Sequence, residues 1–228
     1  MTPQDLLRLH PFFSALPPQD LEKLLPRARR MRVAAGQSVF HKDEPGDGLY
    51  GVLSGRIAFT VDSADGRELT LGFLGPGGFF GEIALLDGKG RTAAAEARDA
   101  SELLFIARRE FLPFVGERPE TLLHIIEMLC GRLRRSTDYI ADAAFLDLPR
   151  RLAKLLVVLH DGGKPPGTGA GTGLRISHAE LASMLGASRA RVSRELSAWS
   201  SQGILDQGRR RLLVRNVRAL EQLVAGDG

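Results

Sequence analysis

Residues 177–199 read SHAELASMLGASRARVSRELSAW, a stretch with the punctuation of two short helices. Ser177 and Glu180 have the S-x-x-E spacing of a capping box, in which two side chains together cap the amino terminus of a helix. Gly186 fits a tight turn after the first helix, and Ser188 is placed to cap the second. Two short helices joined by a glycine-bearing turn predict a helix-turn-helix.

Basic residues lead the second helix, where Arg189, Arg191 and Arg194 follow the capping Ser188. Positive charges near a helix amino terminus oppose the macrodipole and cost up to about 1 kcal/mol each when exposed. An anionic partner would offset that cost, and the arginine fork pairs with guanine O6 and N7 or with a phosphate. For one arginine alone a solvated helix face is the better interpretation, but these four residues together predict a DNA-binding surface.

A basic hairpin follows the two helices. Segments 203–205 and 208–214 have the pattern of a strand, a turn and a second strand. Arg209, Arg210 and Arg211 fall at the turn, where they are placed to contact phosphates, which position a protein on DNA without reading its sequence. This pattern predicts a wing beside the helix-turn-helix.

The charge distribution is uneven along the chain. Residues 145–228 contain 13 Lys+Arg and 7 Asp+Glu, a net charge of +6, whereas residues 1–144 contain 18 and 20, a net charge of −2. A basic carboxy-terminal third on a near-neutral remainder favours a nucleic-acid-binding module joined to a second function. A solvated surface that is basic by chance is the alternative.

A long amphipathic helix is predicted upstream of this module. Its seam positions are spaced alternately four and three residues apart, the a/d pattern of a coiled coil; they are Leu122, Ile126, Leu129, Leu133, Ser136, Ile140 and Ala143. So narrow a stripe favours pairing with the same helix of a second copy, which predicts a homodimer. A helix packed against its own amino-terminal domain is the alternative.

Ser136 and the adjacent Thr137 place hydroxyl groups in this seam. A polar residue there costs stability unless it sets the register or binds something. A ligand buried between the helices is one interpretation. A hydrogen bond from Ser136 to the backbone one turn earlier is an equally common one.

Between about residues 33 and 111, short runs rich in Val, Ile, Phe, Leu and Thr alternate with glycine-containing turns. This spacing predicts an antiparallel roll or barrel, with room for one small ligand. The clearest of these runs are residues 38–40, 49–53, 56–61, 68–74 and 102–107.

The predicted fold class is therefore α+β. A jelly-roll-like antiparallel β-roll domain is expected over residues 1–116, a dimerisation helix and hinge over 117–146, and a winged helix-turn-helix domain over 147–228. The length of 228 residues agrees with more than one domain.

Composition excludes several protein classes. The chain has 43% hydrophobic and 25% charged residues, the balance of an ordinary globular protein. Its apolar runs fall far short of the roughly 20 residues that cross a bilayer. Residues 1–5 lack the features of a secretory signal. We therefore expect a cytoplasmic protein without a membrane partner.

Neither catalysis nor metal binding is expected. Cys130 is the only cysteine, which excludes an internal disulfide, a cysteine zinc site and a cysteine-ligated cluster within one chain. The five histidines are scattered along the sequence, and no nucleophile–base pair is apparent. No catalytic residue, metal ligand or required cofactor is therefore predicted. The alternatives are a metal-dependent cupin-like enzyme domain and a haem sensor that uses His41.

Two motifs resemble those of one family. Residues 80–86, FGEIALL, followed by RTA at 91–93, are similar to the phosphate-binding cassette of the cyclic-AMP receptor and fumarate–nitrate regulator family of bacterial transcription factors. Residues 188–194 resemble the Ser-Arg-Glu-Thr-Val-x-Arg recognition helix of that family, with Ala190 in place of the glutamate and Arg191 in place of the threonine. The resemblance covers nearly the whole chain.

The resemblance implies a dimeric transcriptional regulator that is not an enzyme. Its partners would be a pseudo-palindromic operator in double-stranded DNA and RNA polymerase, and its effector cyclic AMP or a related cyclic nucleotide. Arg189 and Arg194 match the base-reading arginines of the family. The replacement of the glutamate by Ala190 implies a relaxed preference at one base pair of the target.

The resemblance also implies a ligand site. Arg91 would neutralise the phosphodiester through its two-pronged guanidinium, and Thr92 would add a hydroxyl donor. Glu82, directly after Gly81 at the start of a short helix, would accept a hydrogen bond from the ribose 2′-hydroxyl. Residues 136 and 137 would contact the base, one of them from the partner subunit, although their order is swapped relative to the Thr-Ser pair of the cyclic-AMP receptors.

Other effectors stay open at this point. Cyclic GMP, cyclic di-GMP, a fatty-acid-like molecule and a haem-bound gas are alternatives, as is constitutive DNA binding. For Glu82 and Arg91 the alternative is a structural salt bridge inside an empty roll.

Overall fold

The computed structural model of the chain describes residues 1–9, 13, 17–117, 120–162, 173–208 and 211–226. The chain divides into two compact units, one made of residues 1–67 and 71–134 and the other of residues 68–70 and 135–228. Within the described ranges, no helix combines the length and apolarity that a membrane span needs.

Two β-sheets form the roll predicted from the sequence. The strands are β1 (Ala28–Val33), β2 (Ser38–Phe40), β3 (Gly48–Ser54), β4 (Ile57–Asp62), β5 (Glu68–Leu74), β6 (Phe79–Phe80), β7 (Ala94–Ala97) and β8 (Ser101–Ala107). One sheet has the order β1-β8-β3-β6 and the other the order β2-β7-β4-β5. Strand β3 pairs antiparallel with both β8 and β6, so that Tyr50 lies opposite Phe105 on one side and Phe80 on the other.

Aromatic rings fill part of the space between the two sheets. Tyr50 stacks on Phe80 at 5.2 Å between ring centroids, and Phe105 lies 4.9 Å from Tyr50. Phe40, from the opposite sheet, lies 5.9 Å from Phe80. Burying such a ring contributes about 1.5–3 kcal/mol, and ring pairs add to this. These rings, which we call the aromatic cluster, therefore form a rigid part of the roll interior.

Short helices cover one side of the roll. They are α1 (Pro3–Leu9), α2 (Pro18–Leu24), α3 (Glu82–Asp87) and α4 (Arg108–Gly116). Leu6 and Leu7 of α1 are fully buried and share a core cluster with Phe111 of α4. The apolar residues of the amino-terminal helices therefore cover the roll.

Helix α5 (Glu120–Phe145) is the long helix predicted from the heptad spacing. Its roll-facing side is marked by Ile125, which is 5% exposed and belongs to the roll core. Of the predicted seam, Leu129 also packs against the roll core, whereas Ile126, Leu133 and Ile140 are 53%, 68% and 67% exposed. The alternative of a helix packed against its own amino-terminal domain therefore describes Leu129 and not these three residues.

The second unit contains the predicted winged helix-turn-helix. Its elements are α6 (Leu148–Gly162), α7 (His178–Leu185), α8 (Arg189–Ser201), β9 (Leu205–Gly208), β10 (Arg211–Val214) and α9 (Val217–Ala225). Strands β9 and β10 pair antiparallel as the wing. Val192, Leu196 and Trp199 of α8 are buried, as their spacing predicts. The predicted α+β class, with a roll, a long helix and a carboxy-terminal winged helix-turn-helix, is confirmed.

We predict that Leu196→Ala lowers the free energy of unfolding of the second unit by about 2–5 kcal/mol, because it leaves a cavity where a fully buried side chain lay. Trp199 is the only tryptophan of the chain, so its fluorescence in a urea titration reports on this unit. The exposed Glu221→Gln is the control and should leave the midpoint unchanged. Equal midpoints for all three proteins would contradict the assigned core.

Candidate functional site

Gly81 forms the turn between β6 and α3. Its φ is +88°, a left-handed conformation that favours glycine. A Cβ at this position would lie 2.6 Å from Nη1 of Arg91. Glycine at position 81 therefore allows both the left-handed turn and the close approach of the Arg91 guanidinium.

Arg91 is buried, with 2% of the residue exposed. Its Nη1 donates to the Gly81 carbonyl at 2.8 Å, and its Nη2 donates to Gly48 O at 3.1 Å and to Asp47 Oδ1 at 2.6 Å. The guanidinium carbon also lies 4.2 Å from the centre of the Phe40 ring. These contacts fix the plane of the guanidinium beside the aromatic cluster.

Two features leave this guanidinium able to take another anion. The side chain of its ion-pair partner, Asp47, is 57% exposed and so can move into solvent. The Arg91 Nε is buried, and it has no hydrogen-bond partner within the described part of the chain. Buried N–H groups without an acceptor are uncommon in proteins, and a ligand is one explanation for such a group.

Tyr50 supports the same cluster from β3. Its hydroxyl donates to Asp47 Oδ1 at 3.2 Å. Burial, with the nearby Asp47 carboxylate as a smaller cause, raises the pKa of Tyr50 to about 12. Tyr50 therefore stays a neutral hydrogen-bond donor throughout the physiological range.

Glu82 is buried next to the roll core, at 3% exposure. Its Oε1 lies 2.6 Å from Nη1 of Arg132 on α5, while Nη2 of Arg132 donates to the Phe79 carbonyl at 3.2 Å. The contact with Arg132 is an ion pair, and each carboxylate oxygen has lone pairs for a further donor. Burial raises the pKa of Glu82, although the Arg132 charge opposes this.

Glu82 and Arg91 each form a salt bridge, but with other residues rather than with one another. Glu82 pairs with Arg132, and Arg91 pairs with Asp47. Asp47, Tyr50 and Arg132 were not among the residues predicted from the sequence. Arg132 could have been found, because it lies one turn before Ser136 on the same helix; Asp47 was hidden in a segment that reads as a plain turn.

Three predicted ligand residues lie outside this buried cluster. Thr92 directly follows Arg91 but is exposed, unlike its neighbour. Ser136 and Thr137 are exposed on α5 as well. The structure therefore brings Gly81, Glu82 and Arg91 together and leaves the three hydroxyl residues on the surface of a single chain.

The second candidate site is the basic face of the helix-turn-helix. Ser177 and Glu180 form the predicted capping box, since Ser177 Oγ accepts from the Glu180 amide and the carboxylate accepts from the Ser177 amide. Gly186 ends α7 with φ +59°. Ser188 caps α8 by accepting from the Arg191 amide. The local capping signals thus predicted these helix ends correctly.

Arg189, Arg191 and Arg194 are exposed on α8. Arg211 is exposed at the start of β10. Arg209 and Arg210, the other two predicted wing residues, lie outside the described residues. Across the described ranges, no group of three or more His, Cys, Asp or Glu side chains is arranged to hold a metal ion.

Comparisons with known proteins match both units. A cyclic nucleotide-binding domain model matches residues 30–118. A Crp-like helix-turn-helix domain model matches residues 150–223.

Full-length relatives match across the two units together. The CRP-like cAMP-activated global transcriptional regulator of Mycobacterium tuberculosis is 32% identical, over 84% of this chain and 86% of the relative. The cyclic AMP receptor protein of Thermus thermophilus is 32% identical, over 95% of this chain and 97% of the relative. The solved structure of the c-di-GMP-responsive global regulator CLP of Xanthomonas campestris is 30% identical, with a TM-score of 0.71 over 86% of this chain and 98% of that one.

We predict that Gly81→Ala destabilises the roll more than Gly36→Ala does. Gly36 has φ +79°, and no atom lies within 4 Å of where its Cβ would stand, so alanine there bears only the conformational cost of about 1–2 kcal/mol. Gly81→Ala adds the displacement of Arg91, for which we expect roughly 1–3 kcal/mol more. Thermal unfolding followed by circular dichroism measures both variants. Equal losses would mean that Arg91 does not depend on this glycine.

Proposed function

This chain belongs to the cyclic-AMP receptor and fumarate–nitrate regulator family of transcription factors, and we propose that it is a cytoplasmic, dimeric regulator whose DNA binding depends on a cyclic nucleotide held in the roll. Cyclic AMP is the favoured effector, because the Mycobacterium and Thermus relatives are named for it. The proposal needs no further cofactor and no catalytic residue.

The observation that carries the proposal is the buried, incompletely bonded guanidinium of Arg91. Its Nε has no acceptor within the described part of the chain, and one of its Nη2 bonds goes to the exposed Asp47 carboxylate. A phosphodiester would offer two anionic oxygens to the same fork and reach Nε as well as a terminal nitrogen. In this proposal the phosphate displaces Asp47, and the positive charge of Arg91 stays neutralised throughout.

Glu82 suits the sugar of the same ligand. A carboxylate oxygen can accept more than one hydrogen bond, so Glu82 can accept from a ribose 2′-hydroxyl while it stays paired with Arg132. The Arg132 charge favours the ionised form of this carboxylate and connects the sugar site with α5. Ser136 follows Arg132 by one turn in the sequence of α5, and we propose that the Ser136–Thr137 pair contacts the base, as the family resemblance implies.

The dimer is proposed from the exposed seam of α5. Leu133 and Ile140 leave about two thirds of their surface in water, at 68% and 67% exposure, a cost that a second copy of the helix would remove. The same pairing would bury the exposed Ser136 and Thr137 beside each ligand. The effector site is therefore proposed to be completed by the partner subunit, together with Thr92 above the phosphate.

DNA recognition is proposed for α8 and the wing. Arg189 and Arg194 would read bases in the major groove, while Ser188, Arg191 and residues 209–211 of the wing would contact phosphates. The two recognition helices of a dimer would match half-sites about 34 Å apart, which corresponds to a pseudo-palindrome. RNA polymerase is the further partner that a regulator of this kind would contact.

The proposed switch is a difference in affinity. A cyclic nucleotide shifts the protein toward its DNA-binding arrangement only if it binds that arrangement more tightly than the other. Glu82 and Arg132 form an ion pair between the roll and α5, so a ligand bound to Glu82 would act on that connection.

A second effector class has a specific argument in its favour. The solved regulator CLP, which is 30% identical to this chain, responds to cyclic di-GMP. Cyclic di-GMP contains the same phosphodiester and ribose groups, so Arg91 and Glu82 suit it as well. The two effectors differ in size and base, and a titration distinguishes them.

We predict that calorimetric titration with cyclic AMP gives saturable binding, and that Arg91→Ala weakens it at least about 100-fold. Two charge-assisted hydrogen bonds at about 1.5–3 kcal/mol each are lost in that variant. Cyclic GMP and cyclic di-GMP are titrated in parallel. Arg67→Ala is the control, because Arg67 is exposed and pairs with Asp65 on the roll surface. Equal affinities for the two variants would show that Arg91 is not part of the site. If none of the three nucleotides gave a binding signal with the wild type, the proposed effector class would be refuted.

We predict that Leu133→Glu converts the dimer to a monomer and weakens operator binding. A charge in the seam cannot be buried against its copy without a large desolvation cost. Sedimentation velocity measures the mass, and anisotropy on a duplex selected from a random library measures binding. Glu127→Leu, an exposed substitution outside the seam, should keep the dimer. A wild-type monomer, or a dimer in both variants, would contradict the assigned seam.

A further inference from the structure

Residues 41–47 form a loop between β2 and β3 that bonds to the main chain of Arg91. The Asp43 amide donates to the Arg91 carbonyl at 2.8 Å, and the Arg91 amide donates to the Glu44 carbonyl at 2.8 Å. The same loop ends at Asp47, whose carboxylate pairs with the Arg91 guanidinium. One loop therefore holds both the backbone and the charge of this arginine.

The guanidinium of Arg91 is the fixed member of this ion pair. Its side chain is only 2% exposed, and its terminal nitrogens donate to the main-chain carbonyls of Gly81 and Gly48. The Phe40 ring lies 4.2 Å from the guanidinium carbon. Because a movement of Arg91 would break several of these contacts at once, a ligand is expected to meet the guanidinium where it stands.

The carboxylate of Asp47 is the member of the pair that can leave. The main chain of Asp47 is anchored, because its carbonyl accepts from the Arg108 amide at 2.8 Å. Its side chain is 57% exposed, so rotation about its own bonds brings the carboxylate into solvent without a change in the backbone. A carboxylate that leaves Arg91 in this way becomes hydrated, and no charge is left buried alone.

The Asp47 carboxylate occupies a nitrogen that a phosphate needs. Nη2 of Arg91 carries two hydrogens, and its two acceptors are the Gly48 carbonyl at 3.1 Å and Asp47 Oδ1 at 2.6 Å. Nε has no acceptor in the described structure. The N–H of Nε and one N–H of Nη2 point in the same direction, so two oxygens of one phosphodiester can accept from both. Such a ligand has to displace Asp47, since the Gly48 carbonyl belongs to the main chain of β3.

We propose that Asp47 is a competitor built into the effector site, which holds the Arg91 charge in the free protein and weakens the binding of any phosphate that replaces it. The inference rests on the proposed cyclic-nucleotide function and extends it, because it assigns the control of effector affinity to one residue of this chain. Asp47 then sets the nucleotide concentration to which the regulator responds.

The competition links effector affinity to the stability of the free protein. Removal of the Asp47 charge leaves the buried Arg91 cation without its counter-ion in the free protein, which destabilises the fold. In the complex the phosphate neutralises the same cation, so the substitution has little effect there. Because folding and binding form a closed thermodynamic cycle, the stability that the free protein loses reappears as tighter binding of the effector.

Asp47→Asn tests the competition with a small change, because the amide keeps an acceptor oxygen and the size of the side chain but removes the charge. We expect calorimetric titration with cyclic AMP to show about tenfold tighter binding than in the wild type, since a charge-assisted hydrogen bond no longer has to be broken. Cyclic GMP and cyclic di-GMP, which contain the same phosphodiester group, are titrated in parallel.

Asp99→Asn is the matched control. The Asp99 side chain is 56% exposed, almost the same as that of Asp47, and it lies 3.6 Å from Nε of another roll arginine, Arg56. This substitution removes an acidic charge of similar exposure and leaves the contacts of Arg91 unchanged. It should bind each nucleotide as the wild type does.

Thermal unfolding followed by circular dichroism is the second measurement, and it also shows that each variant is folded. Without nucleotide, Asp47→Asn should unfold at a lower temperature than the wild type, and the difference should disappear at saturating cyclic AMP. In the Arg91→Ala background the same substitution should no longer lower the transition, because no buried cation remains for the carboxylate to neutralise.

The outcomes separate this inference from the proposed function. If the wild type binds a cyclic nucleotide and a folded Asp47→Asn variant binds it equally or more weakly, Asp47 does not compete, and the inference is overturned while the proposed function stands. If neither protein binds any of the three nucleotides, the proposed function itself is overturned. Binding by Asp47→Asn alone would support the competition and contradict a nucleotide as the effector of the wild type.

Discussion

The burial of one positive charge organises the ligand-binding end of this molecule. A guanidinium removed from water needs acceptors, and the terminal nitrogens of Arg91 find them on Gly81, Gly48 and Asp47, while its Nε has none in the described structure. Gly81 forms a left-handed turn next to this guanidinium, and a side chain at that position would collide with Arg91. Residues distant in sequence are thus held in one cluster by the requirement that the charge be satisfied.

A second ion pair, whose carboxylate is buried, connects the long helix with that cluster. Glu82 is covered by apolar neighbours and depends on Arg132, a residue of α5, for its compensating charge. Removing one partner from such a pair leaves the other charge buried alone, which is strongly destabilising. A ligand that binds Glu82 at the start of α3 would therefore act on α5, the helix that also carries the exposed seam.

Sequence patterns predicted the periodic and capped parts of the fold most reliably. The capping box of Ser177, the turn at Gly186 and the heptad spacing of α5 are local signals, and the structure follows them. The short strands β6 and β7 carry too few residues for an alternating pattern to stand out. The partners of Arg91 and Glu82 come from sequence-distant segments, and spacing along one chain does not reveal such pairs; the cassette resemblance pointed to the site but not to Asp47 or Arg132.

The exposed apolar seam of α5 makes the stability of the protein depend on its concentration. A stripe that includes Leu133 at 68% exposure is unfavourable in water for a solitary chain. Where two copies cover it, mass action makes the melting temperature rise with protein concentration. At low concentration the chain would then be monomeric, easier to unfold and easier to degrade. Below a certain expression level, little of the protein would persist.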